Sequence, residues 1–136
     1  MKKKHFLILF IGLTNFHAFL IGQEILSDNS HVKVDFVQFA WEANEGFETP
    51  ESVKYDTENQ VLYVANINGK PLQEDGNGYI SKLGMDGSMI KAKWATGMDA
   101  PKGMGILSGN LFVTDINKVR EIGLGNGMII NTYEAP

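Results

Sequence analysis

Apolar residues in this chain are concentrated in short runs separated by polar and glycine-containing stretches. One run covers residues 61–67, Val-Leu-Tyr-Val-Ala-Asn-Ile, and another covers residues 111–113, Leu-Phe-Val. Runs of β-branched and aromatic residues bounded by Gly, Asn, Asp and Pro are typical of β-strands. Beyond residue 22 no long stretch has apolar residues at helical spacing. The pattern therefore predicts an all-β fold.

The strand pattern occurs twice. Pro101 follows Pro50 by 51 positions, and Leu111 follows Leu62 by 49 positions, so the difference of two falls in the turn between paired strands. Each copy continues with two further predicted strands, at residues 78–82 and 90–95 in the first and at 118–122 and 128–133 in the second. Internal repetition with a fixed period is the sequence signature of a repeat architecture.

Four short strands in about 50 residues match one blade of a β-propeller. The apolar runs of both copies have apolar residues on both sides of the pleat, as expected of a strand packed between two blades. We predict a β-propeller fragment of two four-stranded blades, at residues 48–98 and 99–136. Because a closed ring needs about four to eight blades, we expect an open arrangement and the N-terminal part of a longer propeller.

The N-terminal region has a different composition. Lys2, Lys3 and Lys4 precede a mostly apolar stretch at residues 6–21, which predicts a secretory signal peptide over residues 1–22 and export to the periplasm or the medium. An uncleaved membrane anchor is the alternative. Residues 23–47 form an N-terminal segment in which the alternation at 32–39 predicts one further strand, bringing the expected count to two blades plus one strand.

Charge and cysteine content limit the classes of partner. The whole chain has a net charge of −4, and removal of residues 1–22, with their three lysines and no acid, leaves −7. An acidic chain is a poor match for nucleic acid or an anionic membrane surface, so we expect membrane contact only through an uncleaved signal. There is no cysteine and hence no disulfide framework. Open blade edges predict self-association.

The second copy resembles the NHL repeat, a propeller motif. The resemblance is carried by Pro101, Gly103, Met104, Gly109, Leu111, Phe112, Val113, Asp115 and Asn117. The stretch at residues 47–53, Phe-Glu-Thr-Pro-Glu-Ser-Val, with Asp56 and the strand that follows, is similar to the opening blade of the SMP-30/gluconolactonase/LRE-like family. Members of that family are six-bladed propellers, and the resemblance covers residues 31–136.

The resemblance implies a divalent metal, most commonly calcium, that assists hydrolysis of a lactone or ester. The family's first ligand is a Glu in a Glu-Gly-Pro setting, and residues 48–50 match it with Thr49 in place of Gly. Glu48 and Glu51 are the alternative metal ligands. Asn66, Asn68, Asp75 and Asp115 are candidate ligand-loop residues, although Asn66 and Asp115 are alternatively expected to bind turn backbone.

Other catalytic chemistry finds little support. His31 is the only histidine beyond the predicted signal, and the chain has neither a Gly-x-Ser-x-Gly elbow nor a cysteine nucleophile. Residues 73–80 superficially resemble a calcium-binding loop, but Gln73 replaces its first acid and Gly84 stands where its last acid would be, so we interpret residues 73–80 as a long turn. Two hypotheses remain: a metal-dependent lactone or ester hydrolase acting on a sugar-type ligand, and a non-catalytic NHL-type binding propeller.

Overall fold

The computed structural model describes residues 39–135. The predicted signal peptide at 1–22, nearly all of the predicted strand at 32–39, and Pro136 lie outside the described residues. Within residues 39–135 every regular element is a β-strand, and no helix there is long and apolar enough to cross a membrane.

Eight strands form two four-stranded antiparallel sheets that do not close into a barrel. Sheet A has the order β1-β2-β3-β4 and sheet B the order β5-β6-β7-β8. The strands are β1 Pro50–Asp56, β2 Val61–Asn66, β3 Gly78–Gly84, β4 Met89–Met98, β5 Pro101–Leu107, β6 Asn110–Asp115, β7 Lys118–Gly123 and β8 Ile129–Glu134. The predicted all-β class is confirmed, as is the arrangement of four strands in each copy.

The strand registers confirm the repeat residue by residue. Pro50 is opposite Asn66 in sheet A and Pro101 is opposite Asp115 in sheet B. The turn between the first two strands spans residues 57–60 in sheet A and only residues 108–109 in sheet B. The two-residue difference in spacing therefore lies in this turn, as the sequence predicts. Equivalent positions differ by 51 in the first strand, 49 in the second and 39 in the third.

The two sheets pack against each other through one face of each. The shared core contains Tyr63, Ile80 and Trp94 from sheet A and Val113 and Ile122 from sheet B, all buried. The rings of Tyr63 and Trp94 have centroids 4.7 Å apart, a favourable distance for a tilted aromatic pair. Trp94 thus packs between the sheets. Strands β1 and β5 are neighbours, and the Ser52 hydroxyl donates a hydrogen bond to the Lys102 carbonyl across this junction.

The other face of sheet A is covered by residues 41–48, which we call the N-terminal cap. Its Trp41 and Phe47 pack on the buried side chains of Leu62, Val64 and Leu83. The Trp41 Nε1 donates a hydrogen bond to the Met85 carbonyl at 2.8 Å. All six residues of β2 are buried because this strand has packing on both of its faces.

Sheet B is packed on one face only by the residues that the structure describes. Along β6, Leu111, Val113 and Asp115 are buried, whereas Phe112 is half-buried and Thr114 is exposed. The expectation that residues 111–113 are buried on both faces is therefore met on the face toward sheet A alone. We call the other surface the open face of sheet B.

Candidate functional site

The predicted polar residues gather where β2 and β6 end, a region that we call the clasp end. Asn66 is fully buried at the last position of β2. Its Oδ1 accepts a hydrogen bond from the Glu48 N–H at 3.1 Å. Its Nδ2 donates to the Val64 carbonyl and to the Ser81 hydroxyl, both at 3.0 Å. Asn66 thereby holds the backbone that leads into β1.

Asp115 makes the equivalent clasp in sheet B. Its carboxylate is fully buried and accepts hydrogen bonds from the Asp99 N–H at 3.0 Å and the Ala100 N–H at 2.8 Å. The Arg120 Nε lies 3.2 Å from the same carboxylate. Asp115 follows Asn66 by 49 positions, and Arg120 follows Ser81 by 39, so the pairs Asn66–Ser81 and Asp115–Arg120 occupy equivalent places. Asn66 and Asp115 thus both bind turn backbone, which is the alternative role expected for them from the sequence.

Asn68 and Asp75 belong to a loop found only in sheet A. Residues 67–77 separate β2 from β3, whereas only residues 116–117 separate β6 from β7. Asn68 Nδ2 donates to the Asn77 carbonyl at 2.9 Å, and Asp75 Oδ1 accepts from the Asn77 N–H at 3.2 Å. The predicted long turn is confirmed over residues 73–77, whereas residues 78–80 belong to β3, which begins at Gly78.

Hydrogen bonds from main-chain N–H groups attach this loop to the N-terminal cap and to the junction between β4 and β5. The Asn68 N–H donates to the Glu48 carbonyl at 2.9 Å, and the Gly76 N–H donates to Asp99 Oδ1 at 2.9 Å. Asp99 also pairs with Lys118, with 3.4 Å between Nζ and Oδ2. A continuous chain of contacts therefore joins Glu48, Asn68, Asp75 and Asp115 at one end of the two sheets.

The two predicted metal ligands lie on either side of the start of β1. Glu48 and Glu51 are both exposed, with Glu48 in the cap and Glu51 at the second position of the strand. Close to Glu48, the Tyr79 hydroxyl donates a hydrogen bond to the Gly46 carbonyl at 3.2 Å. Burial and the negative charge of Glu48 raise the pKa of Tyr79 above its ordinary value, so Tyr79 stays a neutral donor at physiological pH.

Several residues that build the clasp end are absent from the sequence prediction. Ser81, Asp99 and Arg120 orient the two clasps or connect them to the loop. A signal for two of them exists in the sequence, because Ser81 and Arg120 occupy the same position of the repeat. The repeat spacing changes from 49 to 39 across the loop, however, so this equivalence requires the strand register.

Thr49, immediately before the start of β1, has a φ of +52°. This left-handed conformation costs an L-residue about 1–2 kcal/mol, and the β-branch of threonine makes it less favourable still. We expect Thr49→Gly to raise the free energy of unfolding by about 1 kcal/mol, since the gain exceeds the added chain entropy of glycine. Urea denaturation measures the change.

Thr57 provides the matched control for this substitution. It is exposed in the turn after β1 and has no positive φ, so Thr57→Gly should lower stability by about 0.5–1 kcal/mol. Equal losses in the two variants would show that the backbone at Thr49 is not strained.

The oxygen-bearing side chains at the clasp end are not equally suited to bind a metal. Asn66 and Asp115 do not fit a ligand role, because main-chain N–H groups and Arg120 already engage their oxygens. Glu48, Glu51, Asn68 and Asp75 fit better, since each carries an oxygen on an exposed or half-buried side chain of the kind that hard cations prefer. Within residues 39–135 no three His, Cys, Asp or Glu side chains come together as a metal-binding group.

Searches against family models, curated proteins and solved structures find no match to this chain.

Proposed function

We propose that the two sheets are consecutive blades of an exported β-propeller of the SMP-30/gluconolactonase/LRE-like kind, and that the clasp end is its ligand-binding end. In a closed ring this end would bind a divalent cation, most commonly calcium, and assist hydrolysis of a lactone or ester. Glu48 or Glu51 would supply the carboxylate ligand from these two blades.

The observation that carries the proposal is the convergence of the polar loop, Glu48 and both clasps at one end of two equivalent sheets. Loops at one end of a rigid β-scaffold commonly carry binding residues. The loop at residues 67–77 is nine residues longer than its counterpart between β6 and β7. It is held to the start of β1 and to Asp99 by hydrogen bonds, which would position exposed polar groups for a ligand at little entropic cost.

A cation at Glu48 would draw its other ligands largely from neutral oxygens. Asn68 and Asp75 carry side-chain oxygens within the loop, and water or main-chain carbonyls complete such sites in many proteins. The cation would polarise a carbonyl oxygen of the bound lactone or ester. The chain's own residues would fix the carboxylate, because the Glu48 N–H and C=O are both held by hydrogen bonds to the end of β2 and the loop.

A non-catalytic NHL-type binding propeller is the second candidate. The engagement of Asn66 and Asp115 in backbone clasps favours it, since two of the predicted ligand-loop residues then serve the scaffold. Such a module would recognise a sugar or peptide through the loop at residues 67–77 without a metal.

Calcium titration of the chain tests the metal proposal. We expect isothermal titration with calcium chloride to show binding by the unmodified chain and at least a tenfold weaker affinity in Glu48→Gln or Glu51→Gln. Loss of a charged ligand removes its charge–charge attraction for the cation. Glu58→Gln is the matched control, because Glu58 is exposed in the turn at the opposite end of β1.

Lactone turnover distinguishes the two candidates. The two open sheets alone are expected to be inactive, so the assay uses the closed ring, in which calcium-dependent turnover that falls in the variant that loses calcium would support the hydrolase. Identical calcium affinity in all four proteins would remove Glu48 and Glu51 from the site, and no calcium binding by any of them would leave the metal-free binding module.

A further inference from the structure

The N-terminal cap occupies the position relative to sheet A that the end of β4 occupies relative to sheet B. Residues 46–50, Gly-Phe-Glu-Thr-Pro, parallel residues 97–101, Gly-Met-Asp-Ala-Pro. Gly46 and Gly97 have φ values of +82° and +85°. The Glu48 N–H is held by Asn66, and the Asp99 N–H is held by Asp115, at equivalent positions of the two sheets.

Tryptophans extend this equivalence to the opposite end of the sheets. A Cβ added to Gly87, in the turn between β3 and β4, would lie 2.5 Å from the Trp41 ring. A Cβ added to Gly127, in the turn between β7 and β8, would lie 2.3 Å from the Trp94 carbonyl oxygen. Each turn thus packs on a tryptophan supplied by the element that precedes its sheet. The cap occupies the place that a preceding sheet would occupy.

The open face of sheet B is equivalent to the face through which sheet A packs on sheet B. By strand register Phe112 corresponds to Tyr63, and Val119 corresponds to Ile80. Both Tyr63 and Ile80 are fully buried in the contact between the sheets. The open face is bordered by Ile130 and Tyr133, each 49% exposed. Within residues 39–135 it is therefore the uncovered half of an interface that the two sheets form once with each other.

Glu121 is the charged residue that the described residues place on the open face, and its carboxylate already has hydrogen-bond donors. The carboxylate of Glu121 accepts hydrogen bonds from Tyr133 Oη at 2.6 Å, Asn110 Nδ2 at 2.7 Å and Asn131 Nδ2 at 2.9 Å. These donors, Tyr133 first, lower the pKa of Glu121 below its ordinary value. Covering this face would leave no unpaired carboxylate oxygen, which removes the main cost of burying a charge.

The complementary half is the outer face of sheet A, formed by Leu62, Val64 and Leu83 beneath the cap. Leu62 and Val64 correspond to Leu111 and Val113, the residues of sheet B that pack against sheet A. We propose that the open face of sheet B docks on the outer face of sheet A of a second copy of this chain, and that the cap of that copy blocks the docking until it is displaced. The interface is heterologous, so successive copies form either rings or open chains.

Loosening the cap should therefore strengthen association. We expect sedimentation velocity to show the unmodified chain mainly as a monomer, and Trp41→Ala to lower the apparent dissociation constant by at least about tenfold. The apparent affinity scales with the fraction of molecules whose docking face is uncovered. Adding Ile130→Lys to Trp41→Ala should restore the monomer. Ile90→Lys, at the equivalent position of sheet A, should not.

Cysteine cross-linking identifies the orientation of the docking. Ser52 contacts Lys102 within the chain, and the repeat makes Gly103 equivalent to Ser52 and Glu51 equivalent to Lys102. In the Trp41→Ala background, Gly103→Cys should form disulfides with Glu51→Cys of another copy, because the equivalent contact lies within disulfide reach. Each variant alone should cross-link at least tenfold more slowly. The chain has no native cysteine to interfere.

Gly87→Ala provides an independent way to displace the cap, since its Cβ would meet the Trp41 ring. Gly87→Ala replaces Trp41→Ala in the association experiments if circular dichroism shows that Trp41→Ala is unfolded. Folded cap variants that remain monomeric would overturn the proposal. Cross-linking that is no faster in the mixture of the two cysteine variants than in each variant alone would also overturn it. That result would indicate non-specific contact of open surfaces.

Discussion

Asp115→Ala is expected to lower the free energy of unfolding by about 3–5 kcal/mol. The carboxylate is fully buried and binds the N–H groups of Asp99 and Ala100 together with Arg120. Its removal leaves buried donors and a mostly buried guanidinium without their acceptor, the situation in which loss of one partner is most costly. Urea denaturation monitored by tryptophan fluorescence measures the change.

The repeat itself supplies the control for this prediction. Asn66 and Ser81 form the equivalent clasp in sheet A without any charge. The double variant Asp115→Asn, Arg120→Ser should therefore recover at least half of the stability lost in Asp115→Ala. Asp75→Ala, on the exposed loop, should stay within about 0.5 kcal/mol of the unmodified chain. A loss in Asp115→Ala no larger than in Asp75→Ala would refute the clasp.

Gly127→Ala is expected to be comparably destabilising, by about 3–5 kcal/mol. The residue has a φ of +73°, and an added Cβ would lie 2.3 Å from the Trp94 carbonyl oxygen. The left-handed conformation contributes about 1–2 kcal/mol, and separating two main-chain segments of a packed interface contributes the rest. The measurement is again the urea midpoint, with the expected loss appearing as cooperative unfolding at lower urea.

Two other glycines, Gly125 and Gly87, serve as comparisons for this prediction. Gly125 lies in the same turn, has no positive φ, and an added Cβ there would meet no atom within 4 Å. Gly125→Ala should therefore change stability by less than about 0.5 kcal/mol. Gly87→Ala should be intermediate, because it meets the Trp41 ring, which can move, rather than a main-chain carbonyl. Similar losses in Gly125→Ala and Gly127→Ala would contradict the close approach.

The repeat shows which features of the fold the hydrophobic pattern predicts. Side chains alternate across a strand, and short strands are bounded by Gly, Asn and Asp, so local pattern alone places all eight strands to within a few residues. The two-residue length difference between the β1–β2 and β5–β6 turns is also visible in the spacing of Pro50, Leu62, Pro101 and Leu111. These features are local along the chain, and the structure reports them as predicted.

The roles of the polar residues are not local. The sequence leaves Asn66 and Asp115 as either ligand-loop residues or turn binders, since an amide or carboxylate at a strand end serves both purposes. In the structure both side chains accept hydrogen bonds from main-chain N–H groups that packing brings against them, those of Glu48, Asp99 and Ala100. The side chains of Glu48 and Glu51 are exposed instead.

The sequence by itself therefore determined the all-β class, the two four-stranded units and the position of each strand to within a few residues, because alternation and turn chemistry are properties of neighbouring residues. Only the tertiary structure decided which faces are buried. Leu62 is covered by Trp41 and Phe47 of the cap, whereas Phe112, in a similar apolar run, faces outward on sheet B. Burial depends on what packs against a strand, and that is a contact between distant parts of the chain.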